Sequence, residues 1–283
     1  MSRADIFVTS EWLAANLGRP GLVVVDGSYY LSTMNRDADA EYAAGHIPGA
    51  IRFDIDAVKD MASPLPHMLP SAAEFAAKVG AMGIADNMTI VVYDGMGLFS
   101  APRVRWTFRT FGAKDVRILD GGYPKWLLEG RATESGPARP RAAARFKAVF
   151  DASAVASMAD VKAALALRSA QVVDARPAGR FAGTDPEPRP GLSSGHMPGS
   201  VNLPFAAIIE NGQLKDGAAL EAAFAGAGVD LDKPVITSCG SGVSAAILST
   251  AMELVGKPPK ALYDGSWAEW ATASGAEMIV DKP

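Results

Sequence analysis

Cysteine is almost absent from this sequence: Cys239 is the only one among 283 residues. A single thiol cannot form a disulfide within the chain, which excludes a small secreted scaffold built on disulfides. The count fits a reducing compartment, and we therefore expect a cytoplasmic protein. Histidine is also scarce. One cysteine and three scattered histidines do not provide the ligand spacing of a metal site, so none is expected.

The sequence also lacks an excess of basic charge and a long apolar segment. Lysine and arginine total 27 against 31 acidic residues, and the resulting net charge of −4 offers no basic face for nucleic acid. The longest uncharged stretch, 234–252, contains proline, glycine, serine and threonine, which is not typical of a membrane span. The opening MSRADIFVTSEW lacks the apolar region of a secretory signal. We therefore expect a globular protein with neither a nucleic-acid nor a membrane partner.

A repeat organises what the sequence does contain. The segment EYAAGHIPGAIRFD, which begins at Glu41, matches GLSSGHMPGSVNLP, which begins at Gly191. Four pairs of landmarks keep the same order, and their separations drift only from 150 to 144 residues. The pairs are His46 with His196, Asp26 with Asp174, Asp94 with Cys239, and Trp126 with Trp270. A fixed order at a nearly fixed period indicates a tandem duplication of one structural unit.

Each repeat predicts the same α/β architecture. Apolar runs of four or five residues alternate with alanine- and leucine-rich stretches that are typical of helices. This alternation predicts a mostly parallel sheet with helices flanking both faces. Segment 131–145 is rich in proline, alanine and arginine, which predicts an exposed linker. We expect domains at 1–138 and 157–283, joined by a linker at 139–156.

Two serines predict helix starts. Ser71 is followed by Glu74, which is the pattern of a capping box at the beginning of an alanine-rich helix. Ser244 begins the segment SAAILSTAMELVG, and we expect its hydroxyl to cap that helix.

The two repeats differ in the loop that follows one apolar strand. Asp94 of DGMG aligns with Cys239 of CGSG, and Cys239 directly follows the run PVITS. In an open parallel sheet, chemistry occurs where strands end and helices begin. The glycines allow a tight loop whose N–H groups turn inward, and such a nest beside a helix start stabilises a nucleophilic thiolate. We therefore expect Cys239 to be a nucleophile and the first repeat to be catalytically silent.

Two other chemistries fit these loops poorly. A cysteine phosphatase needs an arginine six positions after its cysteine, and Ala245 occupies that position. The segment GMGLFS lacks the third glycine of a dinucleotide fingerprint, because Ser100 replaces it. We therefore expect neither phosphatase chemistry nor nucleotide binding.

The tandem repeat, the GHIPGA and GHMPGS segments and the loop CGSGVSA together closely resemble the two-domain rhodanese family. The segments SPLPHMLP, LFSAPRVRWTFRTFG, GRFAGTDPEPRPG and YDGSWAEW extend the resemblance over residues 5–280. It implies two rhodanese-like domains, of which only the second is catalytic. It also implies a sulfurtransferase that takes the sulfur of 3-mercaptopyruvate onto Cys239 as a persulfide and releases pyruvate. No organic cofactor is implied, because the cysteine itself carries the sulfur.

The same resemblance implies a group of residues that moves protons. Ser241 in the loop would act with His67 and Asp56 of the first domain, because the substrate thiol loses a proton and the enolate gains one. His67 has no counterpart in the second repeat. Asp54 lies two residues before Asp56 on the same face of an expected extended strand, and it is an alternative partner for His67.

Substrate binding is implied for two arginines and for the loop. Arg180 and Arg189 would hold the carboxylate and ketone of the substrate, because a guanidinium is a planar bidentate donor. The loop residues implied to bind substrate are Gly240, Gly242, Val243 and Ser244. Arg176 is expected to pair with an acidic residue of its own domain. The repeated His46 and His196 are expected to be structural.

Two alternative functions remain open from the sequence. A thiosulfate sulfurtransferase of the same family should carry arginine or lysine in the loop, as in CRKGVTA, whereas Gly240 and Ser241 are neutral. A noncatalytic rhodanese-like module for binding or sulfur relay would not need His67 and both substrate arginines together. For an enzyme, the sulfur acceptor would be cyanide, a small thiol or a thioredoxin-like protein.

Overall fold

The computed structural model of the protein describes residues 2–281. Within them the strands are β1 (Phe7–Val8), β2 (Leu22–Asp26), β3 (Ile51–Arg52), β4 (Thr89–Tyr93), β5 (Asp115–Leu119), β6 (Val155–Ala156), β7 (Gln171–Asp174), β8 (Val201–Asn202), β9 (Ile209–Glu210), β10 (Gln213–Leu214), β11 (Val235–Ser238) and β12 (Ala261–Tyr263). The α-helices are α1 (Arg3–Ile6), α2 (Ser10–Asn16), α3 (Ala38–Ala44), α4 (Ala72–Ala81), α5 (Ala101–Thr110), α6 (Gly122–Leu128), α7 (Met158–Leu167), α8 (Ala178–Ala182), α9 (Gly217–Gly226), α10 (Ala245–Leu254) and α11 (Ser266–Trp270). Across the described residues, no helix has both the length and the apolar character needed to cross a membrane.

Two five-stranded sheets share one topology. The first has the order β1-β5-β4-β2-β3 and the second β6-β12-β11-β7-β8, with all neighbouring strands parallel. Strand β2, with the sequence LVVVD, is buried along its whole length, as expected for a strand that helices cover on both faces. The second domain adds an antiparallel hairpin of β9 and β10. The α/β fold of two similar domains, predicted from the repeat, is therefore confirmed.

The two predicted helix starts have different outcomes. Ser71 caps α4, and Ser71 and Glu74 form the expected capping box. Ser244 directly precedes α10, but its side chain makes no capping hydrogen bond, so that expectation was wrong. The reason is its backbone conformation. Ser244 has φ −72° and ψ −18°, which is already helical, whereas a capping serine needs extended angles to bring its hydroxyl over the free N–H groups.

The chain between the two sheets is extended and follows the surface of the first domain. Residues 131–151 contain no helix and are largely exposed. Several contacts attach this segment to the first domain. Ala144 N–H, for example, donates to the carbonyl of Gly80, and the side chain of Phe146 is buried against Phe75. The predicted domain limits at residues 138 and 157 stay predictions.

The two domains pack through equivalent helices. Helix α5 of the first domain packs against α10 of the second, and one hydrophobic cluster runs through both domains. Two buried arginines of α5 cross this interface, since Arg103 pairs with Asp264 and Arg105 pairs with Glu253. The domain interface is therefore a continuous core that contains the ion pairs of Arg103 and Arg105, and it fixes one domain relative to the other.

We expect Phe75→Ala to destabilise the protein by about 3–5 kcal/mol. Phe75 is fully buried, and its ring packs against Phe108, Phe111 and Phe146. The substitution leaves a cavity that also loosens the attachment of the linker. Urea unfolding followed by circular dichroism measures the effect. Leu128→Ala is the matched control, because Leu128 is 89% exposed and should change the unfolding midpoint little. Equal midpoints for the two variants would contradict the prediction.

Candidate active site

The site is built around Cys239, which follows β11, the central strand of the second sheet. The first residues of α11 form hydrogen bonds with the backbone of Cys239 and Gly240. Trp267 N–H donates to the Cys239 carbonyl over 2.9 Å, and Ala268 N–H donates to the Gly240 carbonyl over 2.9 Å. Cys239 N–H donates to Ser266 Oγ over 3.2 Å. These bonds fix both peptide groups at the start of the loop.

The N–H groups of this loop are available to an anion. Among the described residues, none of the N–H groups from Gly240 to Ala245 donates to a protein acceptor. The corresponding loop of the first domain is occupied by its own side chain, because the Asp94 carboxylate accepts the N–H groups of Met96, Phe99 and Ala101 over 2.7–2.9 Å. The same backbone element therefore holds a carboxylate in one domain and leaves a nest of donors beside a thiol in the other.

The two predicted substrate arginines converge above the loop. A side chain at Gly240 would lie 3.0 Å from Arg180 Nη2 and 3.8 Å from Arg189 Nη1. Arg180 donates to the carboxylate of Glu187, while its buried Nε has no hydrogen-bond partner. Arg189 forms no ion pair with any carboxylate in the described part of the chain. Arg189 therefore carries a positive charge that an anionic ligand can neutralise.

Glu187 is a site residue that the sequence reasoning missed. Its side chain is fully buried, and it accepts from both Arg180 and Arg176. Arg176 also pairs with Asp174 over 2.7 Å, which is the structural partnership within its own domain that we expected. Glu187 thus anchors Arg180 to a buried charge network. Its position in PEPRP, two residues before Arg189, was the available signal.

His67 comes from the first domain and lies beside Asp56. His67 Nδ1 is 3.0 Å from Asp56 Oδ1, although the contact is poorly aligned for a hydrogen bond. The neighbouring His67 ring lowers the pKa of Asp56 to about 2. Burial lowers the pKa of His67 below 6.5, and this outweighs the opposite effect of Asp56. Burial therefore favours the neutral form of the imidazole, which is the form that can accept a proton.

Asp54 occupies a different position from the one expected. Strand β3 ends at Arg52, and Asp54 lies in a turn rather than on an extended strand. Its carboxylate accepts the N–H of Asp56 over 2.8 Å, which closes the turn, and among the described residues Asp54 forms no ion pair with His67. The expectation of a continued strand was wrong because this local side-chain hydrogen bond competes with strand pairing.

Arg189 lies between two of the three expected members of the proton relay, Ser241 and His67. One guanidinium nitrogen, Nη2, donates to Ser241 Oγ over 3.0 Å and lies 3.2 Å from His67 Nε2. Within the described residues, Ser241 and His67 share no direct hydrogen bond. Since Nε2 faces an obligate donor, its lone pair points to Arg189, and the ring proton is then on Nδ1, towards Asp56.

A cavity of about 150 Å³ opens at these groups. The predicted site residues that line it are Cys239, Ser241, Arg180, Arg189, Gly240, Val243 and Ser244. Gly242, predicted to bind substrate, does not line the cavity, and a Cβ at this position would lie 2.5 Å from Arg103 Nη1. His67 and Asp56 do not line the cavity either. His67 contacts Arg189, which does line it, and Asp56 lies beside His67. Tyr29, which the sequence reasoning missed, lines the cavity and packs edge-on against His67 at 4.8 Å.

The other two histidines occupy equivalent positions away from the site. His46 stacks on Tyr42 and pairs through its backbone with Glu134, and His196 stacks on Phe181 and pairs in the same way with Ile279. Each imidazole Nδ1 also contacts the carbonyl of the residue on which the ring stacks. Each histidine therefore pairs with the C-terminal segment of its own domain and attaches that segment to the rest of the domain. This agrees with the structural role expected from the repeat.

The fold and the site together define a duplicated α/β protein with a single cysteine at the carboxyl end of one central strand. A family model for the rhodanese-like domain matches residues 9–129 and again residues 157–273. The chain belongs to the rhodanese family.

Relatives of nearly full length bear two different names. A 3-mercaptopyruvate sulfurtransferase of Rattus norvegicus is 43% identical, and the alignment covers 97% of this chain and 95% of the relative. A thiosulfate sulfurtransferase of Bos taurus is 46% identical with the same coverage. The crystal structure of a 3-mercaptopyruvate sulfotransferase from Escherichia coli has a TM-score of 0.85 at 40% identity, covering 93% of this chain and 99% of that one. Overall identity therefore does not separate the two sulfur donors.

We expect Asp56→Asn to lower the pKa of His67 further. The Asp56 charge favours the imidazolium and therefore raises the pKa of His67, while burial lowers it. Removing the charge leaves burial unopposed. Proton NMR titration of the imidazole signals measures this, because the chain has only three histidines and His67→Gln assigns the signal. Asp54→Asn is the matched control, and an equal shift in that variant would contradict the assigned pairing.

Proposed function

We propose that the protein is a 3-mercaptopyruvate sulfurtransferase. The observation that carries the proposal is the pair of guanidinium groups above the Cys239 loop, of which Arg189 forms no ion pair with a described carboxylate. A keto acid presents a carboxylate beside a ketone, and two converging guanidinium groups match that pair. The proposed compartment is the cytoplasm, which suits an enzyme that depends on a single reduced thiol.

Substrate binding would also complete the proton relay. When the substrate carboxylate takes the Arg189 guanidinium, Nη2 leaves Ser241 and His67, which are then free to bond to each other. The relay would therefore form only with an anionic substrate in place. This order limits proton transfer to the bound state.

The proposed first half-reaction transfers sulfur to the enzyme. The Cys239 thiolate attacks the substrate sulfur, an S–S bond forms, and the C–S bond breaks with its electron pair leaving on the pyruvate enolate. Ser241 and His67 accept the proton of the substrate thiol and return it to the enolate carbon, so that pyruvate and a deprotonated Cys239 persulfide result. The free N–H groups of the loop stabilise the negative charge on sulfur.

In the proposed second half-reaction, an acceptor attacks the outer sulfur of the persulfide. Cyanide or a thiolate forms a bond to that sulfur, and the Cys239 thiolate leaves with the electron pair of the S–S bond. No organic cofactor takes part, because the cysteine alternates between thiolate and persulfide. Two half-reactions of this kind give ping-pong kinetics.

The alternative donor, thiosulfate, is less well matched by the loop. Loops of the CRKGVTA type place arginine at the position of Gly240, where a side chain here would meet Arg180 at 3.0 Å. The cations of this site lie beside the loop instead of in it, because they belong to Arg180 and Arg189. A noncatalytic module would not require a cavity in which Arg189 lies beside Cys239 and contacts His67, which in turn lies beside Asp56.

We expect initial rates to favour 3-mercaptopyruvate strongly over thiosulfate, with cyanide or a dithiol as acceptor. Cys239→Ser should abolish turnover with both donors, because a serine hydroxyl cannot accept the sulfur. Circular dichroism of the variant establishes that it is folded. A preference for thiosulfate would contradict the proposed donor, and absence of turnover in the intact protein would favour the relay module.

We expect Arg189→Lys to lower kcat/KM for 3-mercaptopyruvate by roughly 10- to 100-fold. Lysine keeps the charge but loses the bidentate geometry, and a hydrogen bond to a charged group contributes roughly 1.5–3 kcal/mol. Steady-state kinetics with varied donor measures the change. Arg139→Lys is the matched control, because Arg139 is exposed and distant from the cavity. Equal kcat/KM values for Arg189→Lys and the unaltered protein would exclude a role for Arg189 in donor recognition.

A further inference from the structure

A second cavity lies between the two domains, at the far ends of the two helices that begin at the active-site cleft. Its volume is about 420 Å³, compared with about 150 Å³ for the cavity at Cys239. Its walls come from the last turns of α5 and α10, from the loop after α10 and from the segment that enters the second domain. Helix α10 has 10 residues, so about 15 Å separates this cavity from the Cys239 loop. Cavities of this size at domain interfaces are preferred places for small ligands.

The acidic side chains of this second cavity already have partners. Glu253 Oε2 accepts from Arg105 and from Arg109 over 2.9 Å each. Asp151 Oδ1 accepts the N–H and the hydroxyl of Ser153 over 3.0 and 2.6 Å. A cationic ligand would have to displace one of these donors, so the lining does not favour a cation.

Several donors of the lining lack an acceptor, in contrast to the carboxylates. Within residues 2–281, the ammonium group of Lys260 forms no ion pair, and the indole N–H of Trp106 donates to no protein acceptor. Thr110 is only 2% exposed, and its Oγ1 has no hydrogen-bond partner. A buried polar group without a partner costs free energy, which an acceptor on a ligand would recover.

The charges of the lining leave a positive excess. Arg109 and Lys260 oppose Asp151 and Glu253 in the wall, but Glu253 also neutralises the buried Arg105 behind it. One positive charge therefore remains without a counterion, and it belongs to Lys260. An anionic group on a ligand complements this arrangement.

The apolar part of the lining consists largely of flat rings. Trp106, Pro258 and Pro259 all belong to it. The guanidinium of Arg103 lies 4.6 Å from the ring of Trp106 and holds the indole in place. Flat aromatic rings pack well against an indole in an offset or edge-on geometry.

We propose that this interdomain cavity is a second small-molecule site, and that its ligand is a planar aromatic carboxylate. The carboxylate would pair with Lys260, and the ring would pack against Trp106 and the two prolines. The inference does not depend on the proposed sulfur transfer, because these residues are separate from the lining of the cavity at Cys239. Since the walls belong to both domains, a bound ligand would also stabilise the packed arrangement of the domains.

The experiment titrates the protein with 2-naphthoate and with its neutral amide, 2-naphthamide, by isothermal titration calorimetry. We expect one molecule of 2-naphthoate to bind, and 2-naphthamide to bind roughly 5-fold more weakly, because it lacks the charge that pairs with an exposed lysine. Lys260→Gln should weaken 2-naphthoate by roughly 5-fold and leave 2-naphthamide unchanged. Lys257→Gln is the matched control, because Lys257 lies in the same loop, pairs with Asp232 and is outside the lining.

A second variant tests the ring contact. Trp106→Leu should weaken both probes by roughly 5- to 10-fold, because the aromatic contact is lost whatever the charge of the probe. Trp12→Leu is its control, since Trp12 is also half-buried beneath an arginine, Arg117, but lies outside the cavity. Circular dichroism establishes that each variant is folded.

The cavity at Cys239 also contains a cation, so Arg189→Gln separates the two sites. This variant should bind 2-naphthoate as tightly as the unaltered protein, and saturating 2-naphthoate should raise the urea midpoint of both. Loss of binding in Arg189→Gln would place the anion at Cys239 and overturn the inference. Equal affinities for acid and amide, equal affinities in Lys260→Gln and Lys257→Gln, or no binding at millimolar 2-naphthoate would overturn it too. Because binding is measured without turnover, absence of sulfurtransferase activity would refute only the proposed function.

Discussion

The structure depends on the packing of α5 against α10, because that contact brings two loops to one place. Each helix follows the central strand of its own sheet, and each begins at the loop that a parallel sheet makes available for chemistry. Joining the two helices face to face buries apolar surface of both domains in one cluster. It also places the carboxyl edges of the two sheets opposite each other. A cleft between domains is therefore a consequence of how the duplicated unit pairs with itself.

The two copies of the repeat supply different groups to the site. The second copy supplies the nucleophile, the nest of N–H groups and both arginines, while the first copy fills its own nest with the Asp94 carboxylate. A related difference lies at the start of the last helix of each copy. Gly122 and Ser266 both have positive φ, but only Ser266 has a hydroxyl, which accepts the Cys239 N–H. The catalytic copy therefore accepts a strained serine where the other copy uses glycine.

Sequence reasoning found what local patterns specify. The apolar runs predicted the parallel strands, the repeat predicted two similar domains, and a histidine without a counterpart led to His67. It missed Glu187, although PEPRP offered a signal, because residue types alone do not show which arginines a glutamate pairs with. It could not find the contacts of Arg103, because they are distant in sequence: Arg103 reaches Asp264 and Gly242 in the other domain. The placement of Arg189 between Ser241 and His67 was equally inaccessible. It is decided by which acceptors surround one nitrogen, and no pattern of residue types encodes that choice.

Cys239 is buried, with only 2% of the residue exposed, and it lines a cavity of about 150 Å³. Such burial acts as a size filter on every reaction of the thiol. A small anion or a short thiol can enter, and a folded partner can exchange sulfur only by extending its reactive group on a narrow projection. Bulky oxidants and flat protein surfaces are kept at a distance by the same walls. The buried position thus separates transfer of sulfur from the unselective chemistry to which an exposed persulfide would be open.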